Sequence, residues 1–383
     1  MPAGPGHDLH VRRSCQDWFT ATSRAIDKHS PTGYCYAVRR HPSTRDIALT
    51  DSTQTAPAGP AAARRPHLSI ADFFGKYGVF VVFLGLIVFF SVHPTSGEAF
   101  RTWENAKTIF GLSAPLAVMA LSLTIVLVMR DFDLSIGATM GLGGAFAITL
   151  MSKHGVGWGL AIALGLLIGA AVGAFNGTLI SYLRAPSFVI TLAVTTVVYG
   201  VEFAITGQKT IFEGVAPAYT WLGQNRPLLD IAAQAWVALA LAILVWLLLD
   251  HTEVGRYMYA LGGNPEAARL AGIRTRELKF LGFVIVGLGA AFAGIILTSQ
   301  AGASSPTQGV AYLLPAYAAA FLGSTMFRPG EFNVPGTVVG VLFLQVIQTG
   351  LNMLGLNTSV VNIVQGSILI GAVLASLVGS RRR

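Results

Sequence analysis

The chain has 383 residues, of which 53% are hydrophobic and 11% are charged, and its formal net charge is +8. Because a water-soluble globular protein is about one quarter charged, this composition excludes an ordinary soluble domain. Lys and Arg are concentrated in the N-terminal segment, in one loop and at the C-terminus. That distribution is typical of the cytoplasmic loops of a membrane protein and argues against a nucleic-acid partner.

Residues 1–70 differ from the rest of the chain, because Pro, Ala, Ser, Thr, Arg and His dominate and no helical or strand period is visible. Such a segment buries too little apolar surface to offset the entropy that ordering costs. We expect a disordered cytoplasmic tail, and a mis-assigned start site is the alternative. Both cysteines, Cys15 and Cys35, lie here, so neither a disulfide framework nor a metal site is predicted. The first apolar run begins near Tyr77, too far along the chain for a cleaved signal peptide.

Residues 71–383 are predicted to form an all-α membrane domain, a polytopic bundle of about ten transmembrane helices. Each crossing needs about 20 apolar residues. The predicted spans cover residues 77–93, 109–129, 134–151, 158–182, 186–206, 231–249, 280–299, 309–326, 335–352 and 359–378. More Lys and Arg fall in the loops on the side of the N-terminal tail than in the others, so the positive-inside rule places both termini in the cytoplasm.

The stretch "VMRDFDLSIG", residues 128–137, places three charges between two apolar runs. One interpretation is a tight cytoplasmic turn in which Asp133 caps the next helix by accepting from the N–H groups near Ser135 and Ile136. The alternative is a broken helix whose irregular backbone faces protein or water. In the fourth span, glycines recur every fourth residue from Gly165 to Gly177 and predict close helix contact, while the neighbouring Asn176 either bonds across helices or faces a polar path.

Further polar side chains interrupt later spans. Glu202 lies late in the fifth span, where interfacial exposure and a functional role are both open. Asn362 and Gln365 are spaced i, i+3 in the tenth span and share a helix face, and Gln345 and Gln348 repeat this spacing in the ninth. Amides without a matched acid and base favour hydrogen bonding of a neutral polar solute over proton chemistry. Bonding between helices is the alternative for each of them.

The longest loop on the tail side, "DHTEVGRYMYALGGNPEAARLAGIRTRELKF", predicts a short helix lying across the cytoplasmic face. Asn264 caps it, Pro265 takes the first position, Glu266 faces the positive end of the dipole and Gly272 ends it. A short amphipathic helix of this kind suits docking into a groove of a soluble partner. An interfacial connector helix is the alternative.

Three segments carry a family resemblance: "HTEVGRYMYALGGNPEAARLAGI", "DFDLSIG" and "FNGTLISYLRAPSFVITLAV". They resemble segments of bacterial ABC-transporter permeases of the ribose/xylose type, in a group that also includes branched-chain amino-acid permeases. The similarity runs from about residue 110 to residue 378. It implies a multi-pass permease subunit of the bacterial inner membrane that works with a second permease chain, a cytoplasmic ABC ATPase and an extracytoplasmic solute-binding protein.

On this resemblance the chain moves a monosaccharide by alternating access and needs no catalytic residue, metal or cofactor of its own. ATP and Mg act through the partner, because the chain lacks the G-x-x-x-x-G-K-[ST] phosphate loop. The residues expected to couple to the ATPase are Asn264, Glu266, Ala267, Ala268 and Gly272. The candidates for the translocation path are Asp133, Asn176, Glu202, Asn362 and Gln365.

The chain also departs from the family pattern. Where the family commonly has Gly-Gly before Ile-Asp, this chain has Arg130, Asp131 and Phe132 before Asp133, which adds two charges. Such departures leave the solute open, so a non-sugar ABC permease is one alternative. An ion-coupled secondary transporter is another, and it would need paired buried ionisable groups and inverted repeats. A membrane enzyme would need catalytic groups clustered on a sizeable loop.

Overall fold

The computed structural model of the protein describes residues 70–381, with side chains described for residues 78–374. The predicted N-terminal tail, with Cys15 and Cys35, lies outside these residues. Within the described part the chain is helical, and its strand-like contacts are two isolated bridges, Ile211 with Ser304 and Leu228 with Ile231. The predicted all-α class is confirmed for this part of the chain.

The first half of the described chain forms the following helices: α1 (Ile70–Val92), α2 (Gly97–Phe100), α3 (Trp103–Val128), α4 (Ile136–His154), α5 (Trp158–Ser181), α6 (Ser187–Thr206), α7 (Pro217–Gln224) and α8 (Ala233–Trp246). A π-helical turn, Leu247–His251, extends α8. The second half forms α9 (Glu253–Gly263), α10 (Pro265–Leu270), α11 (Thr275–Ala301), α12 (Val310–Gly323), α13 (Val334–Met353) and α14 (Thr358–Arg381).

Each of the ten predicted spans coincides with one of these helices. Six of the described helices are long and apolar enough to cross a membrane, namely α3, α5, α6, α8 with its π-helical turn, α11 and α13. A multi-pass helical membrane protein is therefore confirmed. The count of ten crossings and the cytoplasmic position of the termini stay predictions.

The centre of the bundle is α3, whose most apolar stretch is 89% buried, whereas the corresponding stretches of α5 and α6 are 22% buried and face outward. Lipid is as apolar as these side chains, so close van der Waals contact rather than the hydrophobic effect holds such helices together. The predicted glycine row on α5 supplies that contact. A Cβ added at Gly169 would meet Gly287 on α11, and one at Gly173 would meet the backbone of Phe283.

Charged contacts mark two ends of the bundle. At one end, which we call the α10 end, the segments 129–135, 182–186, 247–279 and 324–333 meet. Arg328 pairs with Asp250 at 2.8 Å and Lys279 pairs with Asp131 at 2.7 Å there. At the opposite end Lys107 pairs with Glu104 at 2.6 Å. The helix bodies between these ends are predominantly apolar, as in membrane-crossing helices.

Candidate functional site

The turn between α3 and α4 forms the first part of the candidate site. After Val128 the N–H groups of Arg130 and Asp131 donate back to the carbonyls of Leu127 and Val126, at 2.9 and 3.2 Å. Arg130 closes this turn with a φ of 59°, a left-handed conformation that is uncommon for a residue with a Cβ. The first part of the turn is therefore held by local backbone hydrogen bonds, whereas the N–H groups of Phe132 and Leu134 donate to side chains of α6.

Asp133 lies two residues before Ser135, which is the N-cap residue of α4. The Asp133 Oδ1 accepts from the backbone N–H of Ser135 at 2.9 Å and from the Ser135 hydroxyl at 2.6 Å. Asp133 is 2% exposed, and its own N–H donates to the Tyr317 hydroxyl of α12 at 3.0 Å. The predicted tight turn and the hydrogen bond from the Ser135 N–H to Asp133 are confirmed, whereas the N-cap position of α4 is occupied by Ser135. Asp131, Asp133 and Ser135 are buried in this turn, which the sequence did not indicate, whereas Arg130 and Phe132 are exposed.

Asn176 joins the same cluster from α5. Its Nδ2 donates to the Ser135 hydroxyl at 2.8 Å, and its side chain is fully buried. Its Oδ1 is buried without a hydrogen-bond partner among the described residues. The structure thus brings together two of the five path candidates, Asp133 and Asn176, through a serine that the sequence did not single out.

Glu202 on α6 is completely buried, so the alternative of interfacial exposure is wrong. Its Oε1 accepts from the N–H of Thr307 at 3.2 Å, while its Oε2 has no hydrogen-bond partner within the described chain. The carboxylate fits because Gly141 on α4 has no side chain: a Cβ there would lie 3.0 Å from Oε2. Whether Glu202 serves transport stays a prediction.

The segment 302–309, between α11 and α12, packs against Glu202. Gly309 lies so close to the backbone of Gly137 that a side chain at Gly309 has no room, since a Cβ there would meet the carbonyl oxygen of Gly137. Ser304 Oγ and Gln308 Nε2 are buried and, like Glu202 Oε2, have no hydrogen-bond partner in the described part of the protein. Sequence reasoning missed this second polar cluster. The only signal was the polar run "ASSPTQG", which looks like an ordinary loop.

Asn362 and Gln365 on α14 contact neither cluster by a hydrogen bond that the structure describes. Gln365 Nε2 donates to Gln348 Oε1 on α13 at 3.5 Å, so bonding between helices, the alternative for these amides, is found for this pair. Asn362 is exposed on the bundle surface. Gln345 is buried and bonds to Thr349 one turn along its own helix.

The predicted short helix in the loop is confirmed as α10. Asn264 Oδ1 accepts from the N–H groups of Glu266 and Ala267, both at 3.1 Å, and caps the helix. Beyond its last turn Gly272 takes a φ of 84°, a conformation that glycine adopts at little cost. Ala268 is 4% exposed and anchors the helix, which leaves Glu266 and Ala267 facing outward.

Charges on α10 are paired with each other. Arg269 lies 2.6 Å from Glu266 one turn earlier, and its hydrogen bond lowers the pKa of that carboxyl.

Two open grooves flank the α3–α4 turn at this end of the bundle. One, of about 670 Å³, is lined by Asp131, Arg184, Glu266, Arg269, Arg276 and Lys279 among others. The other, of about 720 Å³, is lined by Arg130, Phe132, Tyr259, Arg328 and Glu331 among others.

Fold and site together define a polytopic helical membrane protein with two buried polar clusters and a short exposed helix at one end. The family described as the branched-chain amino acid transport system / permease component matches residues 105–373, and the chain belongs to this family. This is a family of transport components, so the enzyme alternative has no support. No solved structure matches the chain.

Three relatives are named as sugar permeases. The chain is 33% identical over 294 residues to the ribose import permease protein RbsC of Escherichia coli (strain K12), covering 76% of this chain and 91% of that protein. It is 30% identical over 368 residues to the xylose transport system permease protein XylH of the same strain, covering 79% and 93%. It is 29% identical over 312 residues to the D-allose transport system permease protein AlsC, also of that strain, covering 82% and 94%. The resemblance stated from the three motifs is confirmed.

Proposed function

We propose that this chain is the membrane-spanning subunit of an ATP-driven ABC importer and forms the path of a monosaccharide. The observation that carries the proposal is α10, a short helix capped by Asn264, anchored by Ala268 and exposed on its outer face. Such a helix fits a groove of a soluble partner. The relatives named for ribose, xylose and allose support the sugar as cargo.

The partners in this proposal are a cytoplasmic ABC ATPase that binds ATP and Mg²⁺, an extracytoplasmic solute-binding protein and a second permease chain, most simply a copy of this one. The permease domain of residues 71–383 crosses the bacterial inner membrane ten times with both termini in the cytoplasm. That orientation puts the α10 end on the ATPase side. It agrees with the excess of Lys and Arg in the loops at that end.

The five coupling residues have different roles in this proposal. Glu266 and Ala267 face outward and touch the ATPase. Ala268 is buried against its own chain, so it holds the helix in place instead of touching the partner. Asn264 starts the helix and Gly272 lets the chain leave it, so these two set its direction.

The path candidates supply hydrogen-bonding groups of the kind that a neutral polyol needs. Asp133 and Asn176 form one cluster, and Glu202 with the segment 302–309 forms the other. A sugar hydroxyl both donates and accepts, so it can pair with the buried acceptors Asn176 Oδ1 and Glu202 Oε2, which have no partner among the described residues. Gln365 and Asn362 on α14 are proposed as secondary contributors to this path.

The proposed mechanism is alternating access. ATP binding closes the ATPase pair, which moves the coupling helices and switches the bundle between inward-open and outward-open states. An ion-coupled secondary transporter is the second candidate, and one observation favours it. Glu202 is a completely buried acid whose Oε2 has no hydrogen-bond partner among the described residues, as a proton-binding group would be, although the pairing with a second ionisable group that such a transporter needs is not found there.

The proposal is tested by tagging the chain, extracting it from native membranes in several mild detergents and identifying what co-purifies. A stoichiometric ATPase is expected with the wild type. Glu266→Lys should abolish ATPase binding and sugar uptake while membrane insertion continues. Glu277→Lys is the matched control, since Glu277 is also exposed and paired with an Arg three residues away. A wild-type chain that purifies alone, with uptake abolished by an ionophore, would favour the ion-coupled transporter.

A further inference from the structure

Asp131 and Lys279 form an ion pair that connects two parts of the site. Lys279 Nζ lies 2.7 Å from Asp131 Oδ2, and the side chains are 25% and 11% exposed. Asp131 belongs to the α3–α4 turn, whereas Lys279 is in the second turn of α11. Within the described chain, Lys279 is the only cation within 4 Å of Asp131. The other charges of the same groove are Arg184, Glu266, Arg269 and Arg276.

Lys279 is closely tied to α10. The N–H of Ile273 donates to the carbonyl of Ala268 at 3.1 Å, which fixes the short connection between α10 and α11. α11 begins two residues later, at Thr275. A displacement of α10 therefore moves the start of α11 with it, because the two helices share this connection and little chain lies between them.

Asp131 is equally tied to the first buried cluster. It precedes Asp133 by two residues within a turn whose backbone is held by hydrogen bonds. Asp133 in turn bonds Ser135, which bonds Asn176, while Tyr317 receives the Asp133 N–H. The same turn also touches the loop helices directly, since Gly262 of α9 lies against the carbonyl of Val128 without room for a side chain.

The pair differs physically from the exposed ion pairs nearby. Exposed pairs such as Arg274 with Glu277 contribute little, because water and salt screen them. A largely buried charge that loses its partner is strongly disfavoured, because it has lost its hydration and gains nothing in return. The Asp131 carboxylate is therefore expected to follow Lys279 when α11 moves.

We propose that Asp131 and Lys279 are positioning residues that couple the docking helix to the Asp133–Asn176 cluster. The pair acts as a link: movement of α10 and the start of α11 is passed to the α3–α4 turn and so to the polar groups inside the bundle. Neither residue touches the solute in this proposal. The inference rests on the proposed function, since it presumes an ATPase bound to α10.

The experiment uses the complete complex with its ATPase and binding protein in proteoliposomes, and D-ribose, D-xylose and D-allose as solutes. The measured quantity is sugar taken up per ATP hydrolysed. The double variant Asp131→Asn with Lys279→Gln removes the link without leaving an unpaired buried charge. Its uptake per ATP should fall about tenfold or more while ATP hydrolysis persists, because residues in direct contact couple with an interaction energy of about that size.

The charge-exchanged variant, Asp131→Lys with Lys279→Asp, should restore uptake per ATP to within about threefold of the wild type, because it rebuilds the pair. The matched control exchanges the exposed pair, Arg274→Glu with Glu277→Arg, and should leave the ratio unchanged. An unchanged ratio in the neutral variant would overturn this inference while the proposed function stands. Absence of ATP-dependent uptake in the wild type would overturn the proposed function and this inference with it.

Discussion

The replacement of Asp133 by alanine tests the hydrogen bonds that hold the turn before α4. Asp133 Oδ1 receives two hydrogen bonds from Ser135, at 2.9 Å from the backbone N–H and 2.6 Å from the hydroxyl. Loss of the acceptor of one backbone hydrogen bond costs about 1 kcal/mol. A buried hydroxyl left without its partner costs about 1–3 kcal/mol. Asp133→Ala should therefore lower the free energy of unfolding by about 2–4 kcal/mol.

Asp133→Asn is the matched variant, because the amide oxygen keeps the acceptor and nearly the same volume. The amide still accepts both hydrogen bonds, but neutral hydrogen bonds are weaker than charge-assisted ones. The free energy of unfolding should therefore fall by less than about 1 kcal/mol. The assay is equilibrium unfolding in mixed micelles, followed by tryptophan fluorescence. Equal stability of Asp133→Ala and the wild type would refute the reasoning from these hydrogen bonds. Equal destabilisation of both variants would show that the negative charge, and not the acceptor geometry, stabilises the turn.

The same two variants separate structure from transport. If Asp133 serves only to hold the turn, Asp133→Asn should take up sugar at nearly the wild-type rate once its membrane level is matched. If the carboxylate contacts the solute in the path, uptake should fall although the stability is retained. The decisive readout is the KM for uptake at equal protein level, because a purely structural role does not change it.

Three further predictions concern positions where the backbone leaves different amounts of room. Gly169→Ala should destabilise the bundle by about 1–3 kcal/mol, because the added methyl group overpacks against α11. Gly200→Ala, where the added methyl group lies in open space on α6, should not destabilise the bundle. Equilibrium unfolding in micelles measures both changes. Gly272→Ala should destabilise the left-handed backbone conformation that follows α10 by about 1–2 kcal/mol, and it should weaken ATPase binding in a pull-down. Unchanged binding would contradict the idea that this conformation sets the direction of α10. The variant Glu202→Gln keeps an oxygen that accepts from the N–H of Thr307, whereas Glu202→Leu does not. In an ABC permease, sugar uptake should therefore be retained in Glu202→Gln and lost in Glu202→Leu. Complete loss of uptake in Glu202→Gln would favour proton coupling.

Local features of this protein could be predicted from its sequence. The apolar runs are long enough for helices, and each predicted span coincides with one. The cap at Asn264 and the exit at Gly272 were predicted because caps and left-handed glycines depend on a few neighbouring residues. The glycine row of α5 was also predicted, since a four-residue spacing places its members on one helix face.

Only the tertiary structure decided which polar side chains meet. From its position near the end of a span, Glu202 could have been exposed at the membrane interface. It is instead buried against the segment 302–309, because Gly141 has no side chain to occupy that space. The ion pair between Asp131 and Lys279 joins residues far apart in the chain. Helix formation follows from local hydrogen bonds and side-chain period, whereas burial and pairing depend on how helices are arranged around one another. No local pattern contains that arrangement, because contact between distant segments is determined by the fit of all helices together.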